Sequence, residues 1–127
     1  MRQQYHRRLV NGVAHIWDVN RLVDLSRDIP VQNVSIETIA EIDERWWFQH
    51  EEDPPTPRGI ALHIRLVEDA SLDYPIILCE EGRLMDGMHR VVKALSRGET
   101  HIKAVRFEET PKPDHLDVDL SELPYDD

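Results

Sequence analysis

The eight residues Arg83-Leu84-Met85-Asp86-Gly87-Met88-His89-Arg90 constrain this chain more than any other stretch. The apolar run Ile76 to Cys79 precedes them, and an amphipathic run ending at Gly98 comes after them. This order predicts a strand, a sharp turn and a helix start, with a carboxylate, an imidazole and a guanidinium gathered in the turn. A helix start leaves backbone N–H groups without partners, and the helix dipole there favours a bound anion. Arg90, in the first turn, can grip the same anion through two parallel hydrogen bonds. The local chemistry points to a phosphate or carboxylate site.

Size and charge narrow the setting. A chain of 127 residues fits one domain with a modest core. The single cysteine, Cys79, excludes an internal disulfide framework and a cysteine-rich metal cluster. No apolar run approaches the ~18 residues that a membrane span needs, and no signal-peptide-like segment follows the N-terminus, so a cytoplasmic protein is expected. The formal net charge is −10, which opposes broad attraction to DNA, RNA or anionic lipid. From Glu108 to Asp127, eight acidic residues against one lysine account for −7 of this, so the remainder carries only −3. A small basic pocket fits such a body, whereas a nucleic-acid track does not. A basic protein is a candidate partner for the acidic end.

Along the chain, residues 1–12 are expected to be flexible, 13–107 to form the domain, and 108–127 to be an acidic tail able to pack as a strand or short helix. The apolar spacing of Ile16, Val19, Leu22, Val23 and Leu25 predicts a helix over His15–Ser26. Val31 to Ile36 reads as a strand, and Glu37 to Ile42 as one or two helical turns. Trp46, Trp47 and Phe48 either cover the core or offer a floor to a flat ligand such as a nucleobase. Thr56 and Pro57 suit a helix start, and the helix is expected to run to Ala70 with His63 on its inward side. Glu80 to Arg83 turns the chain from the strand Ile76–Cys79 into the very short strand Leu84-Met85. A helix over Gly87–Gly98 and an alternating strand over Ile102–Phe107 complete the domain.

Within the turn each residue has a bland and a chemical reading. Asp86 caps the helix, holds Mg²⁺ or orients a hydroxyl group. Gly87 lets the backbone approach a phosphate or a neighbouring strand closely. His89 binds phosphate, transfers a proton or makes a structural hydrogen bond. Arg90 grips the anion or pairs with Asp86 or Glu41. The seven histidines follow no HxH or HExxH pattern, so no metal site is expected.

Asp73 to Leu78, Gly82 to Arg90, Ala94-Leu95, Gly98 and Ile102 to Phe107 together resemble the ParB/sulfiredoxin-like superfamily, and within it a small bacterial subgroup with a ParB-like nuclease domain. The resemblance implies an α+β fold, a small mixed sheet (a partly open barrel) flanked by helices. It also implies binding of a nucleotide (ATP, ADP or CTP, with Mg²⁺ as companion) by Gly87, Met88, His89 and Arg90. Met88 stands where sulfiredoxins carry their cysteine, so that activity is not expected. The DNA-binding helices of chromosome-partitioning relatives are missing as well. A nucleotide-binding switch or interaction module is the leading expectation. The alternatives are a phosphotransferase resembling free-serine kinases and a ParB-like nuclease. For the transferase the resemblance implies Asp86 and His89 at the reacting groups and Glu41, or else Glu44, as general base.

Overall fold

A computed structural model describes residues 3–49 and 51–124. In chain order the strands and helices are β1 (Tyr5–Val10), β2 (Val13–Asp18), α1 (Val19–Ser26), β3 (Gln32–Ser35), α2 (Pro57–Asp69), β4 (Ile76–Leu78), β5 (Leu84–Asp86), α3 (Met88–Ser96), β6 (His101–Arg106) and β7 (His115–Leu116). Short 3₁₀ turns occupy Ile36–Thr38, Ala40–Asp43 and Leu120–Glu122. The strands form an antiparallel sheet in the order β1-β2-β7 and an open mixed sheet in the order β3-β6-β4-β5. In the second sheet β4 and β6 run parallel and the other pairs antiparallel. The fold is therefore α+β. No helix among the described residues is long and apolar enough to cross a membrane.

Strand β4 is buried on both faces, and that divides the core in two. Ile76 and Leu78 point with Leu84, Ile102 and Ala104 toward Met88, Val91 and Ala94 of α3. Ile77 and Cys79 point the other way, joining Met85, Val105, Trp17 and Leu22. The thiol of Cys79 is an interior group, as its apolar run implies. Strand β6 alternates only over its first half, with Ile102 and Ala104 inward and His101 and Lys103 in solvent. Val105 is buried on the opposite face, in the second part of the core, so the strand is not simply half-exposed as expected.

Turn and cap chemistry sets the connections. Asn11 and Gly12 take φ of 52° and 80°, the left-handed pair that joins β1 to β2 by a two-residue turn. The carboxylate of Asp18 accepts hydrogen bonds from the Asn20 and Arg21 amides and starts α1. Thr56 caps α2 through the Gly59 amide, with Pro57 at the first helical position. The β4–β5 turn closes through bonds from the Cys79 amide to the Arg83 carbonyl and from the Gly82 amide to the Cys79 carbonyl.

Two expectations change in the first part of the chain, and the packing expected of the acidic segment is seen. Residues 5–10 pair with β2 along their whole length, so this part of the expected flexible N-terminus is a strand. The helix expected over His15–Ser26 begins only at Val19, because residues 13–18 lie in a ladder and Asp18 caps α1. The acidic segment packs back onto the body as β7. There Asp117 accepts from the Ala14 amide at 2.9 Å, and Asp114 accepts from the Asp18 amide at 2.8 Å and pairs with Arg21 at 3.2 Å. The indole N–H of Trp17 donates to the Pro111 carbonyl. Boundaries at 12/13 and 107/108 therefore do not separate the flanks from the body, since β1 and β7 both pair with β2.

Candidate functional site

Strand β5 carries Asp86 to the edge of the mixed sheet, and Gly87 makes the corner with φ of 112°. A Cβ at that position would sit 2.7 Å from the Ile76 Cγ2. The corner is glycine because the neighbouring strand crowds it, which is the structural of its two readings. Gly87 is also the residue before the first turn of α3, and no side chain among the described residues caps that helix. The first backbone bond of the helix runs from the Val91 amide to the Gly87 carbonyl, so the amides of Met88, His89 and Arg90 have no acceptor within the helix.

A cavity of about 270 Å³ lies at this helix start. Residues 86–90 form one side, and His6, Trp46 and Trp47 contribute ring surface to the rest. The structure thus brings Asp86, Gly87, Met88, His89 and Arg90 to one cavity and leaves Glu41 out of its lining.

The charged groups are arranged differently from the expectation. Asp86 does not cap α3: its Oδ2 accepts from the Arg90 Nη2 at 2.9 Å. Burial raises its pKa above the ordinary carboxylate value, against the opposing pull of the Arg90 guanidinium and the Gly87 amide. The Nη1 of Arg90 donates to the carbonyls of Pro75 at 2.6 Å and Tyr74 at 3.2 Å. Arg90 therefore ties α3 to the start of β4 and neutralises Asp86, with three donor contacts already spent within the protein. The anion-gripping reading of Arg90 gives way to the ion-pair reading.

Glu41 is buried, and its Oε2 accepts from the Arg83 Nε at 2.6 Å, while Glu44 takes the Arg83 Nη2 at 3.2 Å. The other oxygen of Glu41 has no hydrogen-bond partner among the described residues. Paired in this way and outside the cavity lining, the Glu41 carboxylate is not within reach of an acceptor in the cavity. Nor do the residues fit a protein-held magnesium ion. Asp86 is committed to Arg90, and among the described residues no three His, Cys, Asp or Glu side chains gather as ligands.

Two aromatic stacks flank the cavity. In the first, Trp47 lies over both His63 and His89, with ring centroids 4.2 and 4.5 Å away, and Phe48 meets the His63 ring edge-on at 5.2 Å. The Nδ1 of His63 and the Nε2 of His89 are 2.9 Å apart and share one hydrogen bond. Burial lowers the pKa of His89 to about 4, helped by His63 and Arg90. It lowers His63 as well, although Asp53 pulls that group upward. In the second stack, His6 lies between Trp17 and Trp46, each 5.6 Å away centroid to centroid. His6 is only 7 % exposed, and burial, with Arg8 and Arg83 nearby, lowers its pKa to about 3. All three imidazoles are neutral at pH 7.

Of the aromatic patch, Trp46 and Trp47 pack against core residues, as the first of its two readings expects, and both also line the cavity. His6 carries no motif. Its only sequence signal is the Asn11-Gly12 turn, which makes Tyr5–Val10 a hairpin strand and places alternate residues inward. Compared with protein-family models, with curated proteins and with solved structures, the chain matches none at a significant level.

Proposed function

We propose that this protein is a binding module for a nucleotide. The phosphate accepts from the free amides at the start of α3, and the base lies against Trp46 or Trp47. One observation carries this reading: an uncapped helix start opens into a cavity walled by indole rings. Backbone donors suit an anion without a side-chain cation, since several aligned N–H groups and the helix dipole act on one point. The indoles suit a flat heteroaromatic group, whose stacking contributes about 1–3 kcal/mol per base. The β4–β5 hairpin, the Gly87 corner and α3 are also the elements behind the ParB/sulfiredoxin-like resemblance, and that finer fold assignment belongs to the same proposal.

The arrangement favours a switch or interaction module over catalysis. Glu41 is ion-paired outside the cavity lining, and Asp86 is neutralised by Arg90. Neither the phosphotransferase nor the nuclease alternative therefore finds its carboxylate free. A basic partner for the acidic segment also has less to hold, because Asp114 and Asp117 bind the chain's own amides.

Calorimetric titration with ATP, ADP and CTP, with and without Mg²⁺, tests the reading. At least one nucleotide is expected to bind, with affinity falling roughly tenfold or more in Trp47→Ala. Absence of binding by all three would overturn it.

A further inference from the structure

The His63–His89 pair does more than hold two helices together. Its ring planes are inclined by only 19°, and with centroids 5.2 Å apart the rings meet nitrogen to nitrogen at 2.9 Å, so a single hydrogen sits between them. Two neutral imidazoles carry two hydrogens on four nitrogens: one bridges, one occupies an outer nitrogen, and the other outer nitrogen is bare. One further proton can bind the bare nitrogen without breaking the bridge. A second cannot, because each nitrogen at the bridge would then carry its own hydrogen.

From this geometry we infer that the His63–His89 pair takes up one proton when phosphate occupies the α3 helix start, and so acts as a protonic counter-charge for a phosphate dianion. The inference rests on the nucleotide reading of the same cavity. The proton comes from solvent and forms one N–H bond on the outer nitrogen, leaving both rings as donors. His89 lies in the first turn of α3 and lines the cavity, so the added charge stands beside the anion.

The surroundings suit a single positive charge there. The face of Trp47 covers both rings and attracts a cation through its π-system. Asp53 pulls His63 toward protonation, while Arg90 opposes it at His89. Without the anion, burial and Arg90 keep the pair neutral; an anion at the helix start reverses the balance. Arg90 cannot supply this charge itself, because its guanidinium already neutralises Asp86. His63 is thus a positioning residue, acting on the ligand through His89.

Nitrogen-15 NMR of histidine-labelled protein at pH 6.5, with and without saturating ADP, tests the inference. The His63 and His89 signals are assigned by their loss in His63→Phe and His89→Phe; phenylalanine at 63 preserves a ring against Trp47 and Phe48. ADP is expected to abolish the bare-nitrogen signal of the pair while His6 stays neutral. ADP binding, read from its titration heat, with the pair still neutral would overturn this inference and leave the nucleotide reading standing. Failure of ADP, ATP and CTP to bind would overturn both.

Discussion

Acidification should unfold this protein early, and His6 should carry much of the effect. The ring of His6 is almost fully buried between Trp17 and Trp46, and its Nε2 meets the Arg8 Nη2 at 3.4 Å. Its folded pKa of about 3 lies below the ordinary 6.5, so the unfolded chain binds the proton more readily. The stabilisation from neutral His6 is therefore fully present above pH 6.5 and is lost as pH falls from there toward 3. Between pH 7 and pH 5 the unfolded state gains about 2 kcal/mol from this one group. His89 adds a term of the same sign, discounted to about 1 kcal/mol because it is only partly buried. Together these approach half the stability of a marginal domain, at a pH where most carboxylates remain ionised. Urea unfolding at pH 7, 6 and 5 measures the loss in wild type and in His6→Phe, which keeps the stack and removes the titration. The variant is expected to lose about 2 kcal/mol less than wild type over this range. Equal losses, or a His6 titration near 6.5 by NMR, would refute the reasoning.

Three other substitutions separate packing from binding. Gly87→Ala combines a left-handed φ with a Cβ 2.7 Å from Ile76 and should cost about 2–4 kcal/mol, read as a fall in the urea midpoint. Glu41→Gln removes the negative charge paired with Arg83 and should destabilise by about 1–2 kcal/mol while leaving nucleotide affinity unchanged by calorimetry. A loss of affinity there would return Glu41 to the site. Arg90→Ala strands the buried Asp86 carboxylate and should cost about 2 kcal/mol or more; a double-mutant cycle with Asp86→Asn should recover part of that cost.

The part of the fold around the site was legible because several signals agreed there. Thr56 with Pro57 marked the start of α2, and Gly98 marked the end of α3. Residues 15–26 misled because two periodicities meet inside them, at the junction of Asp18 and Val19. Ile16 belongs to a strand while Val19 and Leu22 belong to a helix, yet their spacing of three imitates one continuous helix. Asn11-Gly12 marked the hairpin, but basic and histidine side chains obscured the alternation beside it. At the site, residues 86–90 converge as their adjacency suggests. The pairing of Arg90 with Asp86 was among its readings, whereas its other two partners, backbone carbonyls fifteen and sixteen residues upstream, had no local signal. The His63–His89 contact joins two helices 26 positions apart, with no local pattern to announce it.

The central claim is that the first amides of α3 receive the phosphate. Amide NMR during titration with ADP tests it most directly. The Met88 and His89 amides are predicted to move most, accompanied by the indole signals of Trp46 and Trp47. Saturable binding with those amides unmoved, and shifts clustered elsewhere on the surface, would contradict it.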